Sequence, residues 1–310
     1  MIKKYFKIRN YCSADFDDYV QLHTEADKLD RSGRSISKQH LAEDLGHPSF
    51  HPEKDLFVAD QGGNIIGCAG VFVEAAIKRA ILDCMIHPQQ RRKGVATELI
   101  RRAIRHAGEA ESKVVQVSIA EINRPARSLA TRLGFEFIRH FCELRLDLNN
   151  IRLPAVEPSG YIVRSLGRDE ADKLTHIQNR AFADSWGFNA NTPDEIAYRI
   201  NLSSCSPENI MMAYLKNRPV GYCWTRIMNA ENPVTGGLKG EIHMLGVDPD
   251  YRKKGIGRNV LLAGLADLKS RGVNIVELTV DGQDPVALGL YKSLGFEVFS
   301  RLEWYQMKLA

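Results

Sequence analysis

The sequence predicts two copies of one α/β domain, each an α+β mixed sheet with helices packed on it. Three observations carry this. Landmark residues recur at one offset: Gly94 and Gly255, Pro88 and Pro249, Ala126 and Ala287, Gly134 and Gly295 all lie 161 positions apart. A fixed internal period of this kind marks a repeated unit. Each half also runs through one order of elements, and 310 residues suit about two domains at roughly 150 residues each.

In the first half, alternating residues 3–9 read as a strand, and 13–26 as a helix with Ser13 at its N-cap. A second helical stretch spans 37–45. Strands at 55–59 and 65–74 flank Gln61-Gly-Gly-Asn64, a hairpin turn. A strand at 81–86 leads through His87 and Pro88 into a basic glycine loop and a helix to about 111. A strand at 114–119, a helix at 124–133 and a strand-rich tail at 135–148 complete the half. Residues 149–159 carry Pro154 and Pro158 without periodicity and read as the linker dividing a domain at 1–150 from one at 151–310.

The second half repeats the order. A strand at 161–164 is followed by helices at 168–183 and 194–201 and a hairpin of 211–215 with 220–228. After a loop at 229–240 comes a buried strand, 241–247, then a turn at Asp248, Pro249 and Asp250. Apolar Val260, Leu261, Leu265 and Leu268 at helical spacing follow, then a strand at 273–280, a helix at 285–294 and a strand-rich tail at 296–308.

Composition narrows the function. Apolar and charged contents of 44% and 26% are those of a soluble globular protein, and a net charge of +4 without a basic stripe speaks against nucleic acid. The cysteines Cys12, Cys68, Cys84, Cys142, Cys205 and Cys223 show neither Cys-x-x-Cys nor Cys/His spacing, so no metal site is expected. Most sit in apolar runs and read as free thiols of a reducing cytoplasm. The N-terminus lacks the apolar core of a signal peptide, and no run approaches the roughly 18 residues of a membrane span.

The chemistry lies in Arg252-Lys253-Lys254-Gly255-Ile256-Gly257-Arg258, between a strand and a helix. A glycine turn feeding a helix presents unpaired N–H groups at the positive end of the helix dipole, and the basic side chains add charge. The loop is an anion cradle. It lacks the Gly-Lys-Ser/Thr of a nucleotide P-loop and the third glycine of a dinucleotide fingerprint.

Arg252-x-x-Gly255-x-Gly257 resembles the pyrophosphate loop of the Gcn5-related N-acetyltransferases. Asp284-x-x-Ala287-x-x-Leu290-Tyr291-x-x-Leu294-Gly295-Phe296 resembles that family's Asn-x-x-Ala-x-x-Leu-Tyr-x-x-Leu-Gly-Phe, and the first half carries Asn123-x-x-Ala126-x-x-Leu129-Ala130-x-x-Leu133-Gly134-Phe135. The element order covers the whole chain. Two such domains, with Phe182-Ala-Asp-Ser-Trp-Gly187 in the second, are similar to the mycothiol synthase-like tandem acetyltransferases.

The resemblance implies acetyl-coenzyme A as co-substrate and a small-molecule or peptide amine as acceptor, in a monomer or homodimer. Leu245, Gly246 and Val247 would hold the pantetheine arm on the strand end. Residues Arg252, Lys253, Lys254, Gly255, Ile256, Gly257, Arg258, Asp284 and Leu290 would surround the rest of the coenzyme. Acetyl transfer needs a base, because an amine is mostly protonated near neutrality, an acid for the departing thiolate, and donors for the oxyanion. The family tyrosine lies beside the sulfur, which makes Tyr291 the acid; the alternative is an aromatic packed on a short helix. Glu241, a carboxylate opening an apolar strand, is the base, against a solvated strand-end glutamate. By period-2 alternation His243 shares its face, either relaying protons or packing. Asp184, Ser185 and Trp186, with the 229–240 loop, are the acceptor-side candidates; Trp186 either stacks on the acceptor or joins two helices.

The offset separates the halves. Glu241 corresponds to Ala80 and Tyr291 to Ala130, while the cradle returns as Arg91, Arg92, Lys93, Gly94, Val95 and Ala96, with Asn123 further on. The first half thus has a candidate second coenzyme loop without proton handlers, and reads as a structural or coenzyme-retaining partner, or its loop as an unoccupied relic. The N-acetyltransferase reading stands against a non-catalytic acyl-coenzyme A sensor or scaffold. Glu241 and Tyr291 favour the enzyme, since a sensor needs neither an acid nor a base.

Overall fold

The computed structural model describes residues 5–30, 37–149, 151–155, 160–228 and 238–309. Residues 229–237 of the expected loop at 229–240, part of the linker (150 and 156–159) and residues 3 and 4 lie outside them, and residues 238–240 belong to a strand rather than to that loop.

The chain forms two compact units. Unit 1 is residues 1–140 with 301–310, and unit 2 is residues 141–300. In unit 1 the strands are β1 (Lys7–Asn10), β2 (Leu56–Gln61), β3 (Asn64–Glu74), β4 (Arg79–Ile86) and β5 (Val114–Ala120). They pair in that order, β4 with β5 in parallel and the others antiparallel. The helices are α1 (Phe16–Asp30), α2 (Lys38–Leu45), α3 (Pro52–Asp55), α4 (Val95–Glu109) and α5 (Arg124–Arg132). Leu99, Ala103 and Ala107 of α4 pack on one face of the sheet, and Tyr19, Leu22 and Leu41 of α1 and α2 on the other.

Unit 2 repeats the plan with β7 (Ile162–Ser165), β8 (Ile210–Leu215), β9 (Arg218–Met228), β10 (Leu238–Val247) and β11 (Val273–Asp281). Here β10 and β11 are the parallel pair. Its helices are α6 (Ala171–Phe182), α7 (Pro193–Ile200), α8 (Ile256–Ser270) and α9 (Pro285–Lys292). Val260, Leu261, Leu265 and Leu268 of α8 are fully buried, as their helical spacing predicts. Each contributes about 1.5–3 kcal/mol by leaving water. Leu174, Ile177 and Ile196 of α6 and α7 cover the opposite face.

The sixth strand of each unit does not follow the division at 150. Of β6 (Glu136–Asp147), residues Phe141 to Asp147 pair antiparallel with β11 in unit 2. Of β12 (Glu297–Lys308), residues Leu302 to Lys308 pair antiparallel with β5 in unit 1. Each unit therefore takes its last strand from the other half of the sequence. The proline-bearing segment marks where periodicity stops, but it carries no information about which sheet a strand joins.

Local differences have local causes. A 3-10 turn (Ser13–Asp15) leads into α1, and its N-cap is Cys12, not Ser13, with the Asp15 carboxylate accepting from the Cys12 N–H at 2.8 Å. The short α3 starts at Pro52, whose fixed φ suits a first helical turn. Arg9 donates to both Asp15 oxygens at 2.6 and 2.7 Å and pulls that buried carboxyl down to about 2. A depressed carboxylate stabilises the fold above its ordinary pKa near 4, and that contribution is lost as pH falls from about 4 to about 2. Arg9→Gln should lower the urea midpoint at pH 7 and narrow the difference between pH 7 and pH 2. Identical midpoints for the variant and the native chain at both pH values would refute this.

Candidate active site

β10 is the strand around which the site is built. It pairs with β9 along its length but with β11 only from Leu238 to Glu241. Beyond Glu241, β11 continues alongside β6. The two parallel strands part there, and the β11-facing edge of β10 from Ile242 to Val247 loses its strand partner. An open edge of that kind offers N–H and C=O groups to an extended ligand.

Glu241 is not the first residue of its strand, as expected from the apolar run, but the fourth. It stands opposite Arg226 of β9 in register. Lys239, which breaks the apolar pattern, is held in the strand by an ion pair with Glu277. His243 lies at a bulge between Ile242 and Met244. Alternation holds as far as His243 and breaks after it: Ile242 packs toward α8, while Met244 packs with the α6–α7 cluster. A bulge that re-aims side chains is common beside reactive centres. The His243 ring meets Trp224 edge-on at 5.0 Å, and its Nε2 lies 3.0 Å from Arg226 Nη2. Arginine can only donate, so Nε2 accepts and Nδ1 carries the ring hydrogen. Burial, with Arg226 and Arg199 nearby, drives its pKa well below the usual range and keeps His243 neutral.

Tyr291, on α9, is buried and meets Phe296 edge-on at 5.6 Å. Burial raises its phenol well above the ordinary value, so it holds its proton through neutral pH. Gly246 is an approach point: a Cβ there would lie 2.7 Å from Tyr222 Cε1 and 2.8 Å from Ala181 Cβ. Any side chain at this position would push α6 or Tyr222 away from the strand.

The cradle follows at once. Asp248, fully buried, caps a short turn (Pro249–Tyr251) and receives Arg180 Nε at 2.8 Å and Arg218 Nη2 at 3.2 Å. These partners pull its pKa down and tie the end of β10 to α6 and β9. Lys253 and Gly255 adopt left-handed φ values of 62° and 75°. Arg252, Lys253, Lys254 and Gly255 are exposed, and nothing lies within 4 Å of the position a Gly255 Cβ would take. The first helical bond of α8 runs from the Asn259 N–H to the Gly255 carbonyl, so the N–H groups of Ile256, Gly257 and Arg258 have no acceptor within the helix. Ile256 is buried; a Cβ at Gly257 would lie 3.4, 3.7 and 4.0 Å from the side chains of Val247, Leu290 and Leu245.

The basic side chains divide their work. Arg252 Nη2 donates to the Ala181 carbonyl at 2.8 Å, Lys254 Nζ to the Asp250 carbonyl at 3.2 Å, and Arg258 Nη1 to Ser293 Oγ at 3.1 Å. Asp284 caps α9, accepting from the N–H groups of Val286 and Ala287 at 3.0 and 2.9 Å. An open strand edge running into exposed helix N–H groups can receive an extended amide chain followed by a phosphate or pyrophosphate.

Asp184 is exposed in the turn after α6, and Trp186 packs its ring on Phe141 at 5.9 Å. Three contributors escaped sequence reading: Arg226, buried Asp248 with its two arginines, and Tyr222, hidden in an apolar run.

Unit 1 repeats the cradle with different surroundings. Arg92 and Gly94 have φ values of 65° and 84°, and α4 begins at Val95, with Ala96 in its first turn. Arg91 reaches the Ile86 carbonyl at 3.2 Å and grips Asp30 at 2.8 and 2.5 Å; Lys93 donates to Gln90 at 2.9 Å, and Asn123 caps α5. Ala130 is buried, Met85 stands where unit 2 has Gly246, and β3 pairs with β4 residue for residue without a bulge. Because β10 has one residue more, the register counterpart of Glu241 is Ile81 and not Ala80, Ile81 pairing with Phe72 and Gln116 as Glu241 does with Arg226 and Glu277.

Comparison with known proteins accords with this geometry. The profile of the "Acetyltransferase (GNAT) family" matches residues 18–135 and again 171–296. A mycothiol acetyltransferase of Nocardia farcinica is 30% identical over 245 residues, covering 77% of this chain and 78% of that protein. One from Thermomonospora curvata is 32% identical over 228 residues and 72% of each chain. A GCN5-related N-acetyltransferase from Sphaerobacter thermophilus shares the fold, with a TM-score of 0.75 at 21% identity over 99% of this chain and 97% of that one. The family draws its acetyl group from acetyl-coenzyme A, so the enzyme reading replaces the sensor alternative. With one repeat in each half, the chain belongs to the acetyltransferase (GNAT) family as a tandem, mycothiol synthase-like member and is an acetyl-coenzyme A-dependent N-acetyltransferase.

Proposed function

We propose that acetyl transfer takes place in unit 2, to a primary amine of a small-molecule acceptor, with Glu241 as base and Tyr291 as acid. The observation that supports this is the difference between the units: Glu241, Tyr291, Gly246 and the bulge of β10 have Ile81, Ala130, Met85 and a regular strand as counterparts. Bound acetyl-coenzyme A supplies an activated thioester, and every proton is handled by the chain. Glu241 takes a proton from the acceptor nitrogen, directly or through water, as the C–N bond forms. N–H groups on the open edge of β10 receive the charge that develops on oxygen. As the C–S bond breaks, Tyr291 gives its proton to the sulfur. Neutral His243, held by Arg226, borders the acceptor side.

Tyr291→Phe should lower kcat by roughly 10²–10⁴ with coenzyme binding little changed. Glu241→Gln should flatten the acidic limb of the pH–rate profile. Steady-state kinetics with an accepted amine, alongside calorimetric coenzyme titration, tests both. Native rates in both variants would end the assignment to unit 2.

A further inference from the structure

Tyr222 has no role in the scheme above, yet it is a polar side chain packed across β10 at Gly246. Its residue is fully buried, and its hydroxyl has no hydrogen-bond partner among the described residues. A hydroxyl left so is destabilising unless something else makes use of it.

Its direction follows from its neighbours. Tyr222 and Gly246 are cross-strand partners on β9 and β10, and the ring edge comes within 2.7 Å of the place a Gly246 Cβ would take. Cross-strand partners stand about 5 Å apart. A tyrosine is longer than that, so a ring laid across Gly246 carries its hydroxyl past β10, toward the edge that β11 has left. Tyr291 lies within electrostatic reach of it. Burial holds the phenol protonated, a donor throughout the working pH range. In unit 1 the corresponding pair is Cys68 opposite Met85, with neither the glycine floor nor the hydroxyl.

We propose that Tyr222 is a further catalytic residue of unit 2, whose hydroxyl donates a hydrogen bond to the thioester carbonyl oxygen as the acceptor amine adds to the carbonyl carbon. This rests on the assignment of the reaction to unit 2. Tyr222 keeps its proton throughout. The amine proton goes to Glu241, the nitrogen lone pair forms the new C–N bond, and the electrons of the broken C–S bond leave on sulfur, which takes the Tyr291 proton.

The test is Tyr222→Phe, which removes one oxygen and no packing. The expected kcat is about a hundredfold lower, the effect typical of losing one oxyanion donor. The melting temperature is expected to stay level or rise. Calorimetry gives a readout apart from turnover: affinity for acetyl-coenzyme A should fall about fivefold, the size of one hydrogen bond, while affinity for free coenzyme A, which has no acetyl carbonyl, stays unchanged. Native kcat with an unchanged affinity ratio would overturn the proposal. So would a lower kcat accompanied by a lower melting temperature and weaker coenzyme A binding, which marks a packing role. Tyr291→Phe and Glu241→Gln measured in parallel separate the two readings. Native rates in those variants sink the unit 2 assignment, whereas reduced rates there with a native Tyr222→Phe sink only the role of Tyr222.

Discussion

Gly255→Glu should abolish acetyl-coenzyme A binding at unit 2, where we propose that the reaction takes place, and turnover with it, while Gly94→Glu should leave the chemical step intact. Both glycines sit in the left-handed region, at φ values of 75° and 84°, with open space where a side chain would start. Each substitution therefore brings the same backbone strain, about 1–2 kcal/mol. What differs is the consequence of the charge. Beside Gly255 a carboxylate occupies the N–H groups that would receive a pyrophosphate and repels it, by about 4 kcal/mol for unit charges 4 Å apart near a surface. That is roughly a thousandfold in affinity. Gly255→Ala, which adds strain without charge, should lose much less. Beside Gly94 the same carboxylate faces a unit whose corresponding positions are Ile81 and Ala130. If unit 1 retains coenzyme, Gly94→Glu lowers the melting temperature, since a ligand held only by the folded state stabilises it by mass action. Steady-state turnover, calorimetry and thermal unfolding of the three variants decide the matter. Loss of turnover on changing Gly94, in protein that remains folded, would refute a single reaction centre.

What the sequence makes legible here is what periodicity and backbone chemistry write locally. The offset that joins Gly94 to Gly255 survives because left-handed turns and helix starts need particular residues at particular places. Val260, Leu261, Leu265 and Leu268 announce a buried helix face by spacing alone. The bulge at His243 leaves no such mark. Alternation reads correctly from Glu241 to His243, and the extra residue becomes visible only when Met244 is found packed on the face opposite Ile242. Tyr222 is invisible for another reason: in Val220-Gly-Tyr-Cys-Trp224 a tyrosine reads as one more core residue, and its hydroxyl has meaning only beside Gly246. Asp248 reads as a turn former before Pro249; nothing nearby in sequence points to Arg180 and Arg218 as its partners. Strand exchange is the extreme case, because pairing of Arg145 with Glu277, or of Tyr305 with Val117, spans more than a hundred positions.

The exchanged strands set the largest expected effect on folding. Residues 151–310 expressed alone should not give a stable unit 2, although the proline-bearing segment makes that cut look natural. The fragment lacks the stretch of β6 that pairs with β11 from Phe141 opposite Asp281 to Asp147 opposite Ile275. With it go Leu144, Leu146 and Leu148, all buried to 1% exposure or less. At about 1.5–3 kcal/mol each, three such leucines approach the whole stability of a typical domain, about 5–15 kcal/mol. The loss also bares β11 as an apolar edge, a site for aggregation. Residues 1–150 fail in the same way, without the β12 segment that carries Tyr305 against β5. Residues 141–300, which hold every strand of unit 2, should fold alone, and co-expression of 1–150 with 151–310 should restore soluble protein, each piece supplying the strand the other lacks. Urea unfolding followed by circular dichroism compares the pieces. A cooperative transition for 151–310 alone, at the midpoint of the full chain, would show that β6 is dispensable and that the unit is complete without it.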